Sequence, residues 1–85
     1  MSKKAASIKY LKEQLEVPVI TSLGYDKFAA EIIAEAQKNG IEIVENEDFF
    51  AFEKLFKVGD EIPPEVYKIV VDILVYILNT NKNGK

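Results

Sequence analysis

The chain has 85 residues, enough for one hydrophobic core and too few for two independent domains. It contains neither cysteine nor histidine, which excludes disulfide staples, thiolate or imidazole metal sites and the commonest general base. A net charge of −3 argues against nucleic acid as the main partner, because phosphate binding needs a basic surface that releases counterions.

At residues 5–10, Ala6, Ile8 and Tyr10 alternate with Ser7 and Lys9, the period of a half-buried strand. Lys3, Lys4, Lys9 and Lys12 make this end basic, as solubilising lysines on an edge strand do. Residues 11–16 read as a polar connector with Leu15 turned inward. Residues 17–21, with Pro18 at the start, read as a second short strand. Gly24 breaks the chain, and Asp26 is placed to N-cap a helix running to Asn39. Phe28, Ala29, Ile32, Ile33 and Ala36 form its expected core face. Asn39 and Gly40 supply a left-handed exit into a third strand of Ile41, Ile43 and Val44. Strand, helix and strand at these lengths predict a right-handed crossover with the second and third strands parallel.

Glu45, Asn46, Glu47 and Asp48 form an acidic turn, with Asn46 or Asp48 capping a short helix over 47–56. Phe49, Phe50, Phe52, Leu55 and Phe56 crowd that helix as core rather than as a ligand box. Gly59 turns the chain into the last helix, whose first turn suits Pro63 and Pro64. Val66, Ile69, Val70, Ile73, Leu74 and Ile77 recur at the spacing of a core face, and Val71, Val75 and Leu78 widen it. A helix this apolar is expected to be covered on most sides, leaving Lys68 and Asp72 as a narrow wet stripe. The expected fold is α/β, a small mixed sheet of about three strands with three helices packed around it, in the order β-β-α-β-α-α. The domain is expected over residues 1–80, with 81–85 a disordered tail.

No apolar h-region follows the N-terminal lysines, and the apolar run 69–78 contains Asp72 and is too short to span a bilayer. A cytoplasmic protein without membrane insertion is expected. Ser2, Ser7 and Ser22 have no neighbouring base, and the four glycines make no phosphate loop. Glu42, Glu45, Glu47 and Asp48 are dense in carboxylate, yet their order fits no calcium-binding loop and suits a solvated acidic face. No catalytic residue and no cofactor are expected. The residues alone reach a protein-interaction domain.

Four pieces in order carry a resemblance. They are Ala6-Ser7-Ile8-Lys9-Tyr10, Val17-Pro18-Val19-Ile20, the run from Ala34 through Gly40 to Asn46, and Gly59-Asp60-Glu61-Ile62-Pro63-Pro64-Glu65-Val66-Tyr67. Together they resemble the cytoplasmic C-terminal domain of the FlhB/YscU family, the specificity-switch proteins of flagellar and virulence type III export. The likeness runs from about Ala5 to Leu78 and ends in a Gly-x-x-Ile-Pro-x-x-x-Tyr pattern. Relatives carry a membrane-spanning half and then an Asn-Pro-Thr-His loop that cleaves itself between Asn and Pro. Here Met1 falls where the proline would be, Ser2 where the threonine would be and Lys3 where the histidine would be. The resemblance therefore implies the downstream cleavage product made as a separate protein, with no self-cleavage of its own.

It also implies a role. Such a chain would stand in for, or modulate, the C-terminal fragment of the switch protein, working in the cytoplasm and peripherally at the membrane-embedded export gate. Implied partners are export apparatus proteins, a truncated membrane-embedded switch protein and export substrates, with a homodimer as a further option. In relatives the upstream fragment adds a strand to the sheet, so Ala6, Ser7, Ile8 and Lys9 would pair with a donated strand. Val17, Pro18, Val71 and Leu74 align with the family's apolar substrate-docking positions, where Pro18 and Leu74 match and two alanines become valines. The rival reading is a generic adaptor or homodimerising module that shares only the fold.

Overall fold

In the computed structural model, which describes residues 3–10 and 17–83 and side chains as far as Asn79, the chain runs β1 (Lys4–Lys9), β2 (Val19–Tyr25), α1 (Lys27–Lys38), α2 (Glu47–Phe50) and α3 (Tyr67–Asn83). Two 3-10 turns, Glu53–Leu55 and Pro64–Val66, follow α2 and lead into α3. The expected inward turn of Leu15, the alignment of Met1 and Ser2 and the last two residues of the expected tail lie outside the described residues.

β1 and β2 pair antiparallel, from Lys4 opposite Tyr25 to Lys9 opposite Val19. Ser7 faces Ser22 while Ile8 faces Ile20, so Thr21 is the extra residue of a β-bulge. The Ser7 hydroxyl meets those of Thr21 and Ser22, which satisfies polar groups where the ladder is interrupted. Beyond the bulge, β2 exposes its other edge to residues 59–62. Gly59 N–H donates to the Ile20 carbonyl (2.7 Å), Ile20 N–H to the Asp60 carbonyl (2.9 Å) and Ile62 N–H to the Pro18 carbonyl (2.9 Å).

The pleat gives the two faces different work. One face carries Ala5 and Gly24 and is covered by α1, whose approach is so close that a Cβ on Gly24 would lie 2.9 Å from Phe28 Cβ. The other carries Ala6, Ile8, Ile20 and Leu23 and packs on the main core of Phe49, Phe56, Ile62, Val66 and Val70. Ile20 and Val66 are wholly buried there. Phe49 and Phe56 stack at 4.6 Å between centroids and Phe50 meets Phe49 edge-on at 5.1 Å, so these phenylalanines are core as expected, although the helix expected over 47–56 ends at Phe50 and Leu55 is half exposed. The Lys4 ammonium bridges both Glu53 oxygens at 3.0 and 3.1 Å, tying β1 to the turn after α2.

Four expectations are corrected. The third strand of Ile41, Ile43 and Val44 does not form, so the sheet has two antiparallel strands among the described residues and the β-β-α-β-α-α order with its parallel crossover is not found. Ile41 is 60% and Ile43 41% exposed, because the first half of β2's outer edge is taken by residues 59–62 instead. Asp26 does not N-cap α1 with its side chain. It sits at φ 52°, and its Oδ1 accepts from the Lys3 amide (3.3 Å) while its own N–H donates to the Lys3 carbonyl (2.7 Å). Phe28 leaves the α1 core face: its Cβ lies close over Gly24, but the residue is 63% exposed. Lastly, α3 is not covered on most sides. Val71, Val75 and Leu78 are each about half exposed.

Candidate functional site: an apolar groove and a free strand edge

Residues 59–62 decide where α3 starts. Gly59 adopts φ 95°, open to glycine at no steric cost, and the three backbone bonds to Pro18 and Ile20 fix the segment along the beginning of β2. Pro63 and Pro64, with no N–H to satisfy, then launch the 3-10 turn and α3 away from the sheet. A groove of about 210 Å³ is left between the two. Val17 and Pro18 form one wall, Val71 and Leu74 the other, Val70 and Ile62 the floor, and Tyr10 and Tyr67 stand at the rim.

All four positions singled out from the sequence, Val17, Pro18, Val71 and Leu74, therefore line a single concavity although some fifty residues separate the pairs. Val17 and Leu74 also pack on the core, whereas Val71 is 54% exposed. The lining is predominantly apolar, without an ionised side chain. The volume lies below the roughly 300–1,000 Å³ of a drug-sized pocket and suits one or two apolar side chains of a polypeptide. Ile62 and Tyr67 were missed as lining residues although both belong to the Gly59-to-Tyr67 pattern. Tyr10 carried no local signal, because the pairing of the first two strands brings it there.

The second group, Ala6, Ser7, Ile8 and Lys9, lies on β1. In an antiparallel ladder alternate residues bond to the partner strand, and Asp26–Lys3 sets the phase, so Ser7 faces β2 while Lys4, Ala6 and Ile8 turn their N–H and carbonyl groups outward. Among the described residues no strand pairs with that outer edge. Of the four, then, Ala6 and Ile8 offer their backbone to a partner, and Ser7 and Lys9 are spent on β2. Among the described residues there is no grouping of carboxylates that could hold a metal ion, and no helix is long and apolar enough to cross a membrane.

The sequence matches the FlhB HrpN YscU SpaS Family over residues 3–77. The chain belongs to that family. It is 28% identical over 79 residues to "Flagellar biosynthetic protein FlhB" of Bacillus subtilis (strain 168), covering 92% of this chain and 22% of that protein. It is 30% identical over 79 residues to FlhB of Aquifex aeolicus (strain VF5), covering 92% of this chain and 23% of that protein. The chain thus spans under a quarter of the FlhB relatives it matches. By contrast, it covers 89% of "Uncharacterized protein YlqH" of Bacillus subtilis, with 28% identity over 83 residues and 98% of this chain aligned. Among solved structures it superposes on the native SpaS C-terminal domain with a TM-score of 0.88 at 19% identity, covering 96% of this chain and 95% of that one. The PscU C-terminal domain gives 0.81 at 20% identity, with 87% and 95% covered. The fold is that of the FlhB-family C-terminal domain.

Proposed function

We propose that this chain is a non-enzymatic interaction domain of type III export in flagellar assembly, working in the cytoplasm at the export gate, where it stands in for or modulates the C-terminal part of the specificity switch protein. The observation that carries the reading is the convergence of Val17, Pro18, Val71 and Leu74 on one apolar groove. In this role the groove takes apolar side chains of export substrates, and the outward edge of β1 receives a strand from the membrane-embedded partner.

The groove is tested by capture of flagellar export substrates on immobilised chain. Val71→Asp introduces a charge at a half-exposed wall position, so the fold survives while the groove no longer accepts an apolar side chain. Capture is expected to fall at least tenfold. Leu74→Asp is the harsher variant because Leu74 also packs on the core. Undiminished capture by a folded Val71→Asp or Leu74→Asp protein would remove the groove from the mechanism. The wider role is tested by genetic complementation in a strain that makes only the membrane half of the switch protein; restored motility is expected.

A further inference from the structure

The outer edge of β1, unpaired among the described residues, is basic while the whole chain is acidic, and this contrast identifies what kind of strand can lie on it. Lys3 and Lys9 are both exposed, and both belong to the face that carries Ala5 and Ser7. Lys4, on the opposite face, is already matched by Glu53. A second copy of this chain is the obvious occupant of any open edge. The antiparallel register that pairs all three outward residues with their symmetry mates sets Lys4 against Ile8, Ala6 against Ala6 and Lys3 against Lys9. That last pair of like charges occurs twice across the two-fold. Cross-strand like charges are destabilising, so the lysines guard the edge against self-pairing.

We infer that the edge is built for an acidic extended segment of another polypeptide, with a carboxylate near each of Lys3 and Lys9, apolar β-branched residues on the face of Ala6 and Ile8, and small or hydroxyl residues between. The apolar positions follow from Ala6 and Ile8, which pack against the core and are themselves only partly buried. The inference rests on the strand-donation reading proposed above and specifies its partner's chemistry. Lys3 and Lys9 thus have a double task, repelling a second copy and attracting the acidic strand.

The test uses the full chain and the blocked heptapeptide Glu-Val-Ser-Val-Ser-Val-Glu, whose order is the same in both directions, so it serves a parallel or an antiparallel ladder. Amide hydrogen exchange at Lys4, Ala6 and Ile8 reads edge occupancy directly, and titration gives the affinity. The acidic peptide is expected to protect those amides and to bind about tenfold more tightly at low salt than the counterpart with lysine at both ends. High salt should shrink that preference, and Lys9→Glu, at an exposed position, should reverse it. Equal binding of the two peptides overturns the charge assignment and leaves strand addition standing. If neither peptide protects the three amides, strand addition at this edge falls too. Protection of the same amides by the chain alone at high concentration, with dimer formation, would mean that a second copy is the occupant.

Discussion

Gly24 is where the packing of α1 onto the sheet can be put to a quantitative test. A methyl group there would meet Phe28 Cβ at 2.9 Å, Ile32 Cδ1 at 3.0 Å and the Phe28 carbonyl carbon at 3.1 Å. Two of the three obstacles belong to the root of Phe28, which moves only if the helix moves. Overpacking of this kind costs about 1–3 kcal/mol, and the upper part of the range applies where backbone must shift. Alanine offsets about 0.5–1 kcal/mol of that by restricting the unfolded chain. Gly24→Ala should therefore destabilise by about 1.5–2 kcal/mol, an appreciable part of the roughly 4–13 kcal/mol available to a domain of this size. The melting temperature should drop by about 6–16 °C.

Urea unfolding followed by circular dichroism measures the loss, with an unchanged slope showing that the unfolded state is the same. Gly40→Ala is the control, since nothing lies within 4 Å of the added methyl and its cost comes only from φ +70°. Ile32→Val supplies the decisive arm. It withdraws the Cδ1 that a Gly24 side chain would strike, so the double variant should be about 0.5–1 kcal/mol more stable than the sum of the singles predicts, whereas Gly40→Ala with Ile32→Val should be additive. Additivity at Gly24, or a single-variant loss under about 0.5 kcal/mol, would refute the close approach.

Two further substitutions probe backbone features near the strand and helix starts. Asp26 holds φ 52° and ψ −113°, a region that favours glycine, in exchange for one exposed contact to the Lys3 amide. Asp26→Gly should raise stability by about 1 kcal/mol in the same urea assay, and a loss would show that the tie to Lys3 outweighs the strain. Asn46 accepts from Phe49 N–H at 2.9 Å at the start of α2. Asn46→Ala should cost about 1 kcal/mol, with amide exchange quickening first at Phe49 and Phe50; an unchanged protein would mean that aromatic packing alone holds that helix.

What the sequence revealed depended on how local the determining contact was. A cap from Asn46 or Asp48, a left-handed exit at Gly40 and prolines suited to a first helical turn all follow from neighbours within one turn; the cap found is Asn46, Gly40 has φ 70°, and the prolines open the 3-10 turn that precedes α3. The phenylalanine cluster was legible as well, because a domain of this size has nowhere else to bury that much aromatic surface. The third strand was not. Ile41, Ile43 and Val44 have the composition of a strand, but a strand also needs an edge, and the partner of β2 is fixed by residues 59–62 more than thirty residues from Ile20. Phe28 was misread as well: helical periodicity places it inward, whereas only its root lies over Gly24 and the residue is 63% exposed. The groove positions came from the likeness to a family rather than from periodicity, which placed Val71 in a buried face where it is half exposed.

The size of the groove limits what it can do by itself. One or two apolar side chains buried there contribute about 1.5–3 kcal/mol each, or at most about 6 kcal/mol together. Bringing two polypeptides together costs about 4–15 kcal/mol, so the groove alone gives an encounter too weak to retain a partner. A strand on the β1 edge adds three outward-facing residues with their donors and acceptors, and it tethers the domain to whatever supplies the strand. Once tethered, the groove meets its ligands at a high effective concentration, and weak contacts become useful because each ligand can leave again. For the role proposed above, transient capture would suit substrates that must be passed onward, with the stable attachment at the strand edge. In the proposed role, variants of Lys3 and Lys9 therefore alter where the domain resides, and variants of Val71 alter what it holds while it is there.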